Sequence, residues 1–235
     1  MAAITTSPAA MLATVRLLQL ASPALPIGAY AYSEGLEAAV ESGRIADEAD
    51  TAAWIGGLLE HAFARLDLPL FGGLHRAFEG GDRAAAVALS ARLVASRETA
   101  ELRAADRHLG QALARLLADL GVEAAAGWVR RPERTHAALV ALGCVHFRVD
   151  APSGACALAF GWAENLVGAA LKLVPLGQTA GQRVLLGIGA RIPGVCAAAL
   201  ALDPARDAGE IGAAATGLAL ASCAHETQAT RLFRS

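Results

Sequence analysis

Residues 22–37 read Ser22-Pro23-Ala24-Leu25-Pro26-Ile27-Gly28-Ala29-Tyr30-Ala31-Tyr32-Ser33-Glu34-Gly35-Leu36-Glu37. The stretch lies between two segments of helical periodicity and cannot be a regular helix itself. Pro23 and Pro26 lack an N–H, and each drives its preceding residue toward extended geometry. Gly28 and Gly35 free the backbone where a side chain would obstruct it. Tyr30 and Tyr32, the only tyrosines in the chain, stand two apart, and in an extended segment they would point the same way. Ser33 is suited to cap a short helix through Leu36 and Val40. A loop this apolar and constrained is expected to be docked rather than solvated. In its plainest form it is a structural turn whose tyrosines fill a gap in a core.

Outward from this loop the chain reads as helices. Before it, residues 10–21 place Met11, Leu12, Val15, Leu18 and Leu20 at helical spacing. After it, Asp47 is a good N-cap for a helix carrying Trp54, Ile55, Leu58, Leu59, Ala62, Phe63 and Leu66. Asp67-Leu68-Pro69 interrupts that period, and a further helix is predicted to Phe78. Asp82 is placed to cap the next, through Val87 and Leu93. Residues 96–120 form the longest periodic segment, with Leu102, Leu109, Leu113, Leu116 and Leu120 on one side, and Gly121 stops it. Helices are predicted over 135–147 and 155–173, separated by turn chemistry at 149–154. A helix from Gln178 should be kinked or ended by Pro193. Asp207 and Glu210 have the spacing of a capping box for a last helix to about Ala224. No run alternates apolar and polar residues as a half-buried strand would. The expected fold is all-α: one domain, 1–235, a bundle of roughly eight to ten helices. A flexible N-terminal tail at 1–7 and a C-terminal tail at 225–235 complete it.

Composition limits the function classes. The chain has 235 residues, 55% hydrophobic, with a net charge of −2. Mean hydropathy is +0.43. A nucleic-acid surface would show a basic excess, so no nucleic-acid partner is expected. No membrane association is expected either. Residues 184–202 contain Arg191 and Pro193, and 211–224 fall short of the roughly 20 residues a spanning helix needs. No signal peptide is read at the N-terminus. Cys144, Cys156, Cys196 and Cys223 match no paired framework and are expected as free thiols of a cytoplasmic protein.

Catalytic signatures are missing. There is no P-loop, no HExxH and no GxSxG, and Gly187-Ile188-Gly189 lies in a helical stretch without the strand a dinucleotide site needs. Cys144 with His146, and Cys223 with His225, could each offer two soft-metal ligands. On a helix, residues two apart diverge, so no metal site is expected from either pair. An alternative reading is an all-α enzyme or ligand-binding protein with an apolar pocket behind the Tyr30/Tyr32 loop. Its acid/base candidates are Tyr32, Glu37 and Glu164.

The loop resembles the signature of the UreF-type urease accessory proteins, which carry a run close to SPxLPIGxFxYSxGLE. Tyr30 stands where Phe is more usual, and Glu34 where Gln or His is. Three further stretches deepen the resemblance. The first is Ser96-Arg97-Glu98-Thr99-Ala100-Glu101-Leu102-Arg103-Ala104-Ala105-Asp106. Arg97, Glu101, His108 and Arg115 fall on one helix face, which on its own reads as a solvated face. The second runs from Leu171 to Gln182 and is similar to the family's KxxPLGQxxxQ. It puts Lys172 before a rigid turn and the amides of Gln178 and Gln182 on one face after it. The third, His225-Glu226-Thr227-Gln228-Ala229-Thr230-Arg231-Leu232-Phe233-Arg234-Ser235, is similar to the family's terminal HExQxxRLFRS. On composition it reads as an anchor that orders on a partner, or as a frayed terminus.

The resemblance implies a protein without an active site of its own. It would dimerise, bind UreD (also called UreH) and recruit the GTPase UreG to apo-urease for nickel loading. GTP and Mg²⁺ would belong to UreG, and this chain would bind no cofactor itself. By the same resemblance, Tyr32, Ser33, Glu37, Lys172, Gln178 and Gln182 would face UreG or the dimer seam. His225, Glu226, Arg231, Leu232, Phe233 and Arg234 would face UreD.

Overall fold

The computed structural model describes residues 7–212 and 215–235. Among these there is no strand, and eleven α-helices account for most of the chain. They are α1 (Pro8–Ala21), α2 (Leu36–Glu41), α3 (Glu48–Leu58), α4 (Asp67–Glu79), α5 (Arg83–Ala95), α6 (Ala100–Asp119), α7 (Glu123–Ala126), α8 (His136–His146), α9 (Ala151–Leu173), α10 (Gln178–Leu200) and α11 (Thr216–Glu226). The chain is all-α, as the periodicity implies.

Local chemistry explains most boundaries. Asp47, Asp82, Thr99, Thr135 and Asp150 each accept a backbone N–H three residues on. Such caps satisfy donors that the first helical turn leaves without partners. Ser7 does the same for α1, and residues 1–6 of the expected N-terminal tail lie outside the described residues. Pro69 and Pro152 sit in first turns, where a missing N–H costs nothing. After Leu58 the chain widens into a π-helical turn, Leu59–Phe63, closed by the Ala64 N–H on the Leu59 carbonyl at 2.9 Å.

Helix α8 is the hub. Its residues Ala137–Cys144 are all buried, and it packs on α4, α6 and α9. Gly110 of α6 makes this possible, because a Cβ there would lie 2.7 Å from the Thr135 backbone. A smaller apolar cluster joins Leu36, Ala39, Ile45, Ala169, Ala170, Val174, Ala221 and Phe233. Both α9 and α10 have the length and apolarity of membrane-spanning helices, with mean hydropathy 1.3 and 1.5. They lie side by side in the bundle, and half of the apolar window of α9 is buried within it.

Several elements depart from the sequence reading. Helix α6 starts at Ala100 rather than Ser96, because Thr99 takes the cap and Arg97 turns inward. Helix α9 starts at Ala151, since Asp150-Ala151-Pro152 is a helix start and not a turn. Helix α10 continues seven residues past Pro193. Asp207 and Glu210 cap no helix: Asp207 instead accepts the Asp203 N–H at 2.8 Å and pairs with Arg206. The tyrosines do not share a side. Residues Ala29–Ala31 form a 3₁₀ turn, leaving Tyr30 71% exposed and Tyr32 buried. The apolar stripe of α1 faces outward, with Met11, Leu12, Val15 and Leu18 more than half exposed and Leu20 buried.

Candidate functional site

The four motif stretches meet at one seam, and Glu37 is its centre. Glu37 lies in the first turn of α2, where a carboxylate is favoured by the helix dipole. Gly35 ahead of it has φ +78°, and a Cβ there would press on the Ser222 N–H at 3.1 Å. That close approach seats α2 against α11. The Glu37 carboxylate accepts the N–H groups of Leu232 at 2.7 Å and Phe233 at 2.9 Å, and faces His225 Nε2 at 3.1 Å. Burial works against its charge. The two backbone donors and the His225 ring outweigh burial and hold its pKa below the ordinary carboxylate value.

His225 is fully buried between two carboxylates. Its Nδ1 lies 2.7 Å from Glu101 Oε2, and Arg231 donates to the other oxygen of Glu101 at 2.8 Å. Glu226 accepts the N–H groups of Ala100 and Glu101, so its charge caps the N-terminus of α6. Thr99 and Ser222 join α6 to α11 by a hydroxyl pair at 2.7 Å.

Residues 231–235 are thereby folded onto their own chain. Arg234 N–H donates to Ala31, and the Ser33 N–H and hydroxyl both donate to the Ser235 carbonyl. Phe233 and Ser235 point inward, while Arg231, Leu232 and Arg234 point out. Burying the Phe233 ring in the smaller cluster is worth about 1.5–3 kcal/mol. Lys172 Nζ stands 5.3 Å from the centroid of that ring, a cation–π contact.

The structure therefore divides the residues expected to meet partners into two groups. Tyr32, Ser33, Glu37, His225 and Phe233 are buried within this chain, the first four around the seat of its last five residues and Phe233 as the one of those five that plugs the smaller cluster. Lys172, Gln178, Gln182, Glu226, Arg231, Leu232 and Arg234 are exposed. Tyr32 bonds His108 Nδ1 at 2.9 Å, and its carbonyl accepts Asn165 Nδ2 at 2.9 Å. Asn165 belongs to the site without having been singled out; its signal is one amide in the apolar helix α9.

Behind the seam lies a buried charge cluster. Arg97 bridges Asp67 and Asp106, whose side chains are 6% and 8% exposed. It is not on a solvated face, as its spacing suggests. Burial disfavours the Arg97 cation, but the two aspartates more than offset this and raise its pKa. Asp106 also accepts the His136 N–H at 2.8 Å. Burial lowers the His136 pKa, with Arg97 adding to the effect. Glu34, at φ +51°, accepts Trp162 Nε1 at 2.9 Å, and burial raises its pKa despite that bond. A cavity of about 90 Å³ lies among these groups.

An apolar cavity of about 260 Å³ does open behind Tyr30, lined by Leu25, Ile27, Val140, Leu158 and Glu164 among others. Burial raises the Glu164 pKa. Neither Tyr32 nor Glu37 lines this cavity, so the three acid/base candidates do not converge. The cysteines are free. Burial pushes the thiols of Cys144 and Cys196 up to about 12. Cys144 and His225 are buried whereas His146 and Cys223 are exposed, so each Cys/His pair is split between core and surface. Among the described residues no three His, Cys, Asp or Glu side chains gather as a metal site. Glu37 and Glu101 flank His225 on opposite ring nitrogens and do not point at a common ion.

The profile of the UreF family matches residues 45–189. Over 95% of its length the chain is 48% identical to a urease accessory protein UreF of Alkalilimnicola ehrlichii, covering 96% of that protein. It is 46% identical to one of Azoarcus sp. over 99% of this chain and 100% of the relative. A third, of Hahella chejuensis, is 40% identical over 95% of this chain and 99% of the relative.

Proposed function

Because the chain belongs to the UreF family of urease accessory proteins, we propose that it scaffolds UreD and the GTPase UreG on apo-urease and gates GTP-dependent nickel delivery. It is an accessory protein rather than an enzyme. The nickel is cargo of the assembly, and GTP with Mg²⁺ belongs to UreG. The setting is the cytoplasm, and the working form is a homodimer within a larger complex.

The observation that carries this reading is the seam itself. Four family-like stretches, spread from residue 22 to residue 235, converge on Glu37 and hold residues 231–235 in one shape. Such an arrangement positions a recognition surface and performs no chemistry. Arg231, Leu232 and Arg234 are presented outward for UreD, with Leu232 63% exposed. Pre-ordering them removes part of the entropy that binding otherwise costs. Lys172 stands over Phe233 at the edge of the seam, and with the exposed Gln178 and Gln182 in the first two turns of α10 it serves UreG or the dimer. The outward stripe of α1, Met11, Leu12, Val15 and Leu18, is a further apolar surface of the kind that partners cover.

The test is co-purification of the tagged chain from cells making UreD and UreG, followed by mass determination of the complex. Two copies of each protein are expected. A lone monomer under the same conditions overturns the scaffold reading.

A further inference from the structure

A face of the molecule outside the Glu37 seam concentrates arginines. Helix α6 places Arg107, Gln111 and Arg115 at successive four-residue steps, hence on one side. The segment 129–134 runs along that side. Arg107 donates to the Pro132 carbonyl at 3.1 Å and Gln111 to the Val129 carbonyl at 3.1 Å. Arg134 returns a bond to the Arg107 carbonyl at 3.2 Å and another to the Arg131 carbonyl at 2.6 Å. These bonds hold the guanidinium groups in place without neutralising them. Burial lowers the Arg134 pKa, and the charges of Arg107 and Arg115 lower it further.

Elsewhere Arg97, Arg183, Arg191, Arg206 and Arg231 each grip a carboxylate. Among the described residues, Arg107, Arg115, Arg130, Arg134 and Arg234 have no carboxylate oxygen within 4.0 Å. The fold thus fixes several cations side by side in a chain whose net charge is −2; the acid in the same segment, Glu133, lies 3.9 Å from Arg131 and bridges none of these five. At the end of this face a cleft of about 260 Å³ opens between Arg115 and Arg234, with Gln111, His108 and Tyr30 on its walls. Its size and its donors suit a single carboxylate side chain. A long polyanion would run past the cleft and meet the net negative remainder of the surface.

We propose that this arginine face docks an acidic segment of a partner protein, with one of its carboxylates seated between Arg115 and Arg234. Arg234 also belongs to the surface read above as meeting UreD, so the proposal shares that residue with the proposed function; Arg115, which that reading does not use, is the residue that tests it. Opposed charges at such a face chiefly raise the association rate and set register, and their effect is screened by salt.

The probe is a fluorescein-labelled decapeptide of alternating Glu and Gly, titrated with the full chain and followed by anisotropy. Its Gln counterpart and a random single-stranded RNA oligomer serve as comparisons. Binding of the Glu peptide is expected to weaken about tenfold or more when salt rises from low to physiological strength. It should be lost in Arg115→Glu and be reduced in the milder Arg115→Ala; the Arg115 side chain makes no hydrogen bond among the described residues. A control with twice the charge change, Arg44→Glu with Arg65→Glu, alters two exposed arginines on other elements and should leave binding within about twofold. Thermal melts of every variant verify the fold. Absence of Glu-peptide binding overturns the proposal, as does an equal loss in the control pair or tighter binding of the RNA oligomer.

Discussion

Helix α6 carries charge at both ends of its exposed surface and treats the two ends differently. At its start, Glu101 is enclosed: its carboxylate holds His225 and Arg231, and Glu226 caps the turn beneath it. About two and four turns on, Arg107 and Arg115 have no acid partner among the described residues and are held only through backbone carbonyls or not at all. The difference lies in what surrounds them. Glu101 faces α11 and residues 225–235, where removal from water makes an unpaired charge expensive and so requires reciprocal partners. The arginines face solvent, where a free guanidinium is tolerated and remains available to another molecule. Closed charge sets geometry, and open charge offers contact.

The largest break in that contrast should come from Glu37→Ala. It strands the buried Phe233 N–H and one nitrogen of the buried His225, together with the half-buried N–H of Leu232. Removing one partner from such a set costs about 3–5 kcal/mol, read as a lowered denaturant midpoint. Amide exchange at Leu232 and Phe233 should accelerate together, because both donate to the same carboxylate. An unchanged midpoint would show that the seat contributes no stability.

A pH titration separates two buried glutamates of opposite behaviour. The folded state lowers the Glu37 pKa, so its stabilising effect is complete above the unfolded value of 4.5 and is lost as pH falls through the lower folded value. The fold raises the Glu34 pKa, so that group favours folding below 4.5 and loses that contribution as pH rises through its folded value. Glu37→Gln should therefore flatten the acid side of the stability curve. Glu34→Gln should raise stability at neutral pH by about 1 kcal/mol, provided the amide oxygen keeps the Trp162 Nε1–H. Destabilisation at neutral pH by Glu34→Gln would mean that its ionised form is needed beside Arg97.

The same distinction separates what the sequence makes legible from what it hides. Caps at Asp47 and Asp82, and the stop at Gly121, are local signals, and the helices follow them. The π-turn at Leu59–Phe63 leaves the apolar spacing nearly intact and so escapes notice. Arg97 reads as a solvated helix residue because its partner Asp67 is 30 positions away. Glu37 and His225 lie 188 positions apart, and no periodicity links them. The loop of residues 22–37 announces a docked element through its prolines and glycines. It does not announce that residues 231–235 are what docks there. Tyr30 and Tyr32 follow the same pattern: a two-residue spacing implies one side only if the backbone is extended, and the 3₁₀ turn removes that condition.

The smallest effect on stability should come from Gln178→Ala combined with Gln182→Ala. Both side chains are exposed on α10 and make no side-chain hydrogen bond within the described residues. Exposed substitutions of this kind stay within about 0.5 kcal/mol, and alanine is the better helix former, so the melting temperature should scarcely move. Recruitment of UreG in the co-purification should nevertheless fall, because these amides belong to the open class that leaves its donors to a partner. A marked drop in melting temperature would instead place them with Glu37 and His225, as groups the fold consumes for itself. UreG recruitment and thermal stability should thus be decoupled at Gln178 and Gln182 and coupled at Glu37, and measuring both quantities on both variants tests the division between closed and open polar groups directly.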